Sequence, residues 1–233
     1  MPDLKRNRHQ LVWSVLKALN APLLLDLKCY FGGGTRIVLE LNEYRESMDV
    51  DFLCSDRTGY RELRGMISQS SFGDIFKGDY QLMRDIRADM YGIRTFLLVD
   101  GQPLKIEIIS EGRIELGGSQ MKPFPLAVLD HSSCIAEKFM ANTDRGRDKS
   151  TQSRDLVDLA FMAASWPERE MFTGLSAAQE AYGHTVYREL NESLNRLEHS
   201  AYRQQCVAEL RVKDTRKLGR GLATLSRVFD RSG

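Results

Sequence analysis

The pattern of this 233-residue chain predicts an α+β fold with a mixed sheet, followed by an α-helical C-terminal region. Three observations carry that expectation. Strand and helix patterns mix through the first half, only helical patterns follow residue 127, and a glycine triplet at a strand-to-helix junction precedes two aspartates spaced for one strand face. The expected division is 1–126 for the α+β domain and 127–233 for a helical domain that completes an active-site cleft.

The elements follow in order. Apolar residues at Leu4, Leu11, Val12, Val15, Leu16 and Leu19 recur with a helical period that Pro22 brings to an end. Lys28 to Phe31 reads as a short strand broken by Gly32-Gly33-Gly34, and Thr35 to Leu41 as a helix starting directly from the glycines. Met48 to Cys54 reads as a second strand, with Met48, Val50 and Phe52 on one face and Asp49, Asp51 and Leu53 on the other. A helix from Tyr60 to Ser68 comes next, and then a hairpin in which Arg94 to Val99 and Leu104 to Ile109 flank Asp100-Gly101-Gln102-Pro103. Beyond a loop with Gly117, Gly118, Pro123 and Pro125, helices are expected at Ser132–Asn142, Gln152–Ala164, Leu175–Leu197, Tyr202–Leu210 and Asp214–Phe229.

With 42% apolar and 28% charged residues the chain can bury a real core, which excludes a disordered or fibrous class. No apolar run approaches the ~20 residues that span a bilayer, and Lys5, Arg6 and Arg8 lead into an amphipathic helix rather than a signal sequence. A cytoplasmic protein with no membrane partner is expected. Cys29, Cys54, Cys134 and Cys206 lie far apart, without metal-ligand spacing, and read as reduced packing residues. The net charge of +1 conceals a basic end, eight Lys/Arg against three Asp/Glu from Ala201 to Gly233.

The chemistry concentrates between Phe31 and Phe52. Glycines at a strand-to-helix junction let peptide N–H groups approach a phosphate, and the new helix N-terminus adds about half a positive charge. Asp49 and Asp51, two apart on one strand, present side chains on one face, close enough to converge on metal. Glu107, between Ile106 and Ile108 on the hairpin, is the candidate third acid. Taken singly, the glycines could be only a turn and each acid only a solvated face. Together they supply what nucleotidyl transfer needs, metal ligands and donors aimed at phosphates.

Gly33-Gly34-Thr35, followed about ten residues later by Arg45-x-Ser47-x-Asp49-Val50-Asp51-Phe52, resembles the signature of the AbiEii/AbiGii toxins, nucleotidyltransferases of the DNA polymerase β-like superfold. Glu137-Lys138-Phe-Met-Ala141 with an Arg at 145 or 147, and Arg154-Asp155-Leu156-Val157-Asp158, resemble the same family downstream. The resemblance implies that Gly33, Gly34, Thr35, Arg45 and Ser47 bind the nucleotide and that Asp49 and Asp51, with Glu107, bind Mg²⁺ or Mn²⁺. It also implies that Lys138 neutralises phosphate charge and that Asp155 is a late catalytic acid, orienting Lys138 or serving as general base. Asp158 could share that role or pair with Arg154, and Arg36 could reach the phosphates or face solvent. The activity implied is that of a bacterial toxin with a cognate antitoxin, moving a nucleotide from a nucleoside triphosphate to the 3′ end of tRNA. A small-molecule or protein acceptor, or an inactive nucleotide-binding module, is the alternative. Arg211, Lys213, Arg216, Lys217, Arg220, Arg227 and Arg231 could follow an RNA backbone or form a solvated helix face.

Overall fold

The computed structural model describes residues 3–232, with side chains through Val228. The chain divides into two units, Met1–Leu39 with Ser47–Asp130, and Glu40–Glu46 with His131–Gly233. The first holds the sheet and the second is helical, as the α+β class expects. Among the described residues no helix is long and apolar enough to cross a membrane.

In the first unit α1 (Asn7–Ala18) is followed by a short α2 (Ala21–Asp26) with Pro22 in its first turn. Sequence reading took Pro22 as the end of a helix. The first helix does end ahead of it, at Ala18, and Pro22 then sits in the first turn of a new one, where no N–H is needed from proline. β1 (Cys29–Phe31) leads into α3 (Gly33–Glu40), then β2 (Val50–Cys54) and α4 (Arg57–Met66), whose Asp56 carboxylate caps the Gly59 N–H at 2.7 Å. Two-residue strands β3 (Gln81–Leu82) and β4 (Arg87–Ala88) precede the hairpin β5 (Gly92–Val99) and β6 (Gln102–Ser110). Its turn is Asp100-Gly101 alone, with φ of 47° and 73°, so Gln102 and Pro103 are already in strand. β7 (Gly118–Gln120) and β8 (Ala127–Leu129) complete the sheet. Strands this short carry too little periodicity to be read from sequence.

The strand order is β3-β5-β6-β2-β1-β8-β7, with β4 also paired to β5. β1 with β8 and β2 with β6 are parallel and the other pairs antiparallel, so the sheet is mixed. One face buries Val50, Phe52, Ile93, Leu97, Ile106 and Ile108 in a core with Val12, Trp13 and Leu16 of α1. Tilted ring pairs Phe31–Phe52 and Trp13–Phe124, with centroids 5.6 and 5.7 Å apart, fill its middle. The alternating residues of β5 and β6, among them Arg94, Lys105 and Glu107, lie half-exposed on the other face. All four cysteines are buried and free.

The second unit packs α6 (Arg154–Ala163), α7 (Glu168–Tyr182) and α8 (Thr185–Glu198) around α5 (His131–Arg145), with α10 (Thr215–Ser232) against α6 and α9 (Ser200–Glu209) against α8. The single helix expected over Leu175–Leu197 is two, broken at Gly183 with φ of 61°, and the first begins seven residues earlier, at Glu168. Residues 40–46 join this unit by backbone pairing: the Glu46 N–H donates to the Leu210 carbonyl at 3.2 Å and the Lys213 N–H to the Tyr44 carbonyl at 2.8 Å.

Candidate active site

In the sheet unit the site begins at Gly33, which starts α3 with φ of 64°. Only glycine holds that backbone without strain, and a Cβ there would also collide with the Asp51 carboxylate. The neighbouring Gly32 N–H donates to the Asp51 carbonyl at 2.8 Å, so peptide backbone lies directly against the acid strand. The Thr35 and Ser47 hydroxyls hydrogen-bond at 2.8 Å. The Ser47 N–H donates to Nε2 of His9 at 3.2 Å, and Arg8 donates to the sulfur of Met48. Two consecutive residues of α1 therefore hold the segment that delivers Asp49. His9 is fully buried, and sequence reading missed it because an α1 histidine carries no signal of a partner 38 residues away.

The acids form a row across the strands. Parallel pairing sets Asp51 opposite Glu107, so the third candidate acid lies on the adjacent strand and the same face. Lys105, also on that face, is ion-paired to Glu107, and Arg94 lies 3.8 Å from it. Partial burial pushes the Lys105 ammonium down, but Glu107, Asp51 and Asp49 outweigh it and hold the group above the ordinary lysine value. Lys105 was missed by sequence reading, although its i, i+2 spacing to Glu107 puts both on one face.

Among the described residues no three His, Cys, Asp or Glu side chains gather into an ion cage. The donor set still fits Mg²⁺, a hard cation that is commonly held by one or two carboxylates with waters and substrate phosphates rather than by an all-protein cage. Asp49 and Asp51 supply such carboxylates, and the glycine contact leaves no side chain between the backbone and Asp51. Glu107 is engaged by Lys105.

In the helical unit the downstream residues form a buried ion-pair cluster. Arg45 donates through Nε and Nη2 to the two oxygens of Asp158 at 2.7 and 2.8 Å, and the Tyr44 hydroxyl donates to the same carboxylate. Lys138 Nζ lies 2.8 Å from both Asp155 and Asp158, and Arg145 donates to Asp155 at 2.6 Å. Burial alone would raise both carboxyls. Lys138 and Arg145 hold Asp155, and Arg45 and Lys138 hold Asp158, below the usual carboxylate range. Burial opposes the Lys138 charge, and the two aspartates restore it and more.

Each remaining candidate has a definite place. Asp158 pairs with Arg45 and Lys138. Arg154 is half-buried in the first turn of α6, and of the two downstream arginines it is Arg145 that joins the cluster while Arg147 pairs with Glu189 at 2.7 Å. Arg36 does not face solvent: it is wholly buried, with Nη2 3.9 Å from the Met121 sulfur. Of the basic C-terminal residues, Arg211 pairs with Glu46 at 2.8 Å while Arg216, Arg220 and Arg227 are exposed; the Arg231 side chain lies outside the described residues.

A family model described as nucleotidyl transferase AbiEii toxin, type IV TA system, matches residues 14–218. No curated protein matches the chain. Among solved structures, a protein from H. pylori designated a candidate nucleotidyltransferase is similar at 17% identity with a TM-score of 0.54, over 97% of this chain and 94% of that one. JHP933 from Helicobacter pylori is similar at 18% identity with a TM-score of 0.53, over 97% and 91%. At such identities the likeness is one of fold.

Proposed function

This chain belongs to the AbiEii family of nucleotidyl transferase toxins of type IV toxin–antitoxin systems, and on that premise we propose that it transfers a nucleotide from a nucleoside triphosphate to the 3′ end of tRNA in the cytoplasm. The observation that carries the catalytic part is the contact of Gly33 with Asp51 at the start of α3. It sets the N-terminus of α3 beside the Asp51 carboxylate, and nucleotidyl transfer needs an anion-binding end next to an acid that can hold metal.

Asp49 and Asp51 would hold Mg²⁺ or Mn²⁺, which when bound neutralises phosphate charge and stabilises the attacking and leaving oxygens. The chain's own groups do the rest. The N-terminus of α3 offers peptide N–H groups to the triphosphate, and the Thr35–Ser47 hydroxyl pair ties its first turn to the segment ahead of Asp49. The acceptor hydroxyl oxygen attacks the α-phosphorus, the bond to the bridging oxygen breaks, pyrophosphate departs and the hydroxyl proton passes to solvent. Lys105 keeps its charge among the acids and screens their mutual repulsion. In the helical unit Lys138 is buried and taken up by Asp155 and Asp158, so its work is to hold that acid pair. Asp155, held below the usual carboxylate range, suits orienting that lysine better than accepting a proton. Family membership implies an antitoxin partner that silences the activity.

The test is incubation of the protein with Mg²⁺, each α-phosphate-labelled nucleoside triphosphate in turn and total tRNA, beside Asp51→Ala and a chelator control. The expected result is label on RNA that needs both Asp51 and the divalent ion. Label found only on protein or on a small molecule would overturn the tRNA reading, and label that survives loss of Asp51 would overturn the catalytic one.

A further inference from the structure

The row of acids does not stop at Glu107. Strand register places Asp51 opposite Glu107, Glu107 opposite Arg94, and Arg94 opposite Arg87, so four strands present one line of side chains on one face. Three strand spacings of about 4.8 Å make this line about 14 Å long at the backbone. Its inner half is acidic and its outer half basic. Arg84, beside the outer end, lays its guanidinium 4.2 Å from the centroid of Phe96, which shares the Arg94 face of β5.

The outer arginines differ from the inner cations in having nothing to neutralise. Lys105 and Arg94 are tied to Glu107, and Arg94 also to Asp89 at 3.3 Å. Arg84 and Arg87 are exposed and in no ion pair among the described residues, the Arg84 guanidinium lying over the Phe96 ring. The turn from β4 to β5 adds Tyr91, 70% exposed on a backbone whose Tyr91 and Gly92 N–H groups donate to Asp89 at 2.8 and 3.0 Å. Arginines beside an accessible aromatic ring on a rigid sheet make a surface for a single strand of nucleic acid, cations for phosphates and rings for bases.

We propose that this outer row, Arg84 and Arg87 with Phe96 and Tyr91, is where the single-stranded 3′ end of the RNA acceptor lies as its terminal hydroxyl reaches Asp49 and Asp51. The proposal rests on the tRNA reading above and sharpens it. This row combines charge with an aromatic ring and runs straight to the acids.

The experiment compares the full chain with Arg84→Ala/Arg87→Ala and Arg84→Lys/Arg87→Lys, measuring binding of fluorescent tRNA without nucleotide across a salt series, and KM for tRNA and for the triphosphate. The alanine pair should weaken tRNA binding about tenfold or more and lower the slope of log K against log salt by about 1.4, two contacts at about 0.7 each. KM for the triphosphate should stay unchanged, and the lysine pair should restore the slope. If the wild type labels tRNA and the alanine pair binds it with wild-type affinity and slope, the surface is overturned while the activity stands. A slope that the lysine pair fails to restore also overturns it, since phosphate contacts need only the charge. Transfer to protein or to a small molecule instead of RNA overturns both.

Discussion

Glu107 keeps 19% of its side chain exposed in register with Asp51 on the sheet, whereas Asp158, 0% exposed, is enclosed by Arg45, Lys138 and Tyr44 in the helical unit. Both sets of acids stand beside lysine and arginine, yet the surroundings give them different work. The sheet acids lie on a half-open face where substrate and cation can share their oxygens. The helical acids have their oxygens taken up by protein donors, which makes them a means of fixing the Tyr44-Arg45 segment just ahead of Ser47 and Asp49. Acid residues of similar appearance in a sequence thus separate into half-exposed and enclosed groups only by what surrounds them.

Four substitutions or conditions would break or sharpen that contrast. Asp51→Ala should lower nucleotide transfer by about a thousandfold or more, about 4 kcal/mol of transition-state stabilisation, with the melting temperature unchanged or higher because a repulsive carboxylate is gone; loss of activity together with unfolding would place Asp51 among the structural acids. Asp158→Ala should cost about 3–4 kcal/mol in urea unfolding, since Arg45 and Lys138 would remain buried without their counter-charge. A loss well below 1 kcal/mol would show that the cluster is not what holds the helical unit.

The pH dependence of stability follows from the same cluster. The folded-state pKa values of Asp155 and Asp158 lie under the unfolded value of about 3.9. The stability they contribute is complete above that pH and is lost as the pH falls through the folded values. Acid titration followed by circular dichroism should therefore show helical signal lost below about pH 4, and Asp158→Asn should flatten that dependence. The smallest effect is expected at His9. His9→Leu removes the acceptor of the Ser47 N–H, a cost of about 1–2 kcal/mol, read as about a tenfold fall in kcat with a smaller change in KM for the triphosphate. His9→Gln, whose amide oxygen can accept the same N–H, should recover most of it, and equal loss in both variants would assign His9 to packing alone.

Much of this was legible in the residues. The Gly33-Gly34-Thr35 run, Asp51 and the Asp100-Gly101 turn are signals carried by a few neighbouring residues, and they lie at a helix start, on a strand and in a hairpin turn; the strand expected from Met48 begins only at Val50, so Asp49 precedes it, and the helix expected from Thr35 already begins at Gly33. Glu107 was legible as an isolated acid in an apolar strand. Lys105, His9 and Arg145 were not, because their meaning lies in partners that strand register or helix packing supplies. The C-terminal basic stretch drew attention by composition, while Arg87, among aspartates in the sequence, came into line with Arg94 and Glu107 only when β4, β5 and β6 were paired, and Arg84 joined them through its place over Phe96.

By itself, then, the sequence determined the class of fold, the helical character of the C-terminal half and the close succession of the glycine run and the aspartates, since periodicity, turn propensity and local spacing are short-range properties of the chain. Only the tertiary structure decided that Glu107 stands beside Asp51, that Lys138 is shared by two aspartates and that Arg36 is buried rather than solvated. Register and burial depend on which distant segments meet, and a charged side chain carries no mark of its future neighbour.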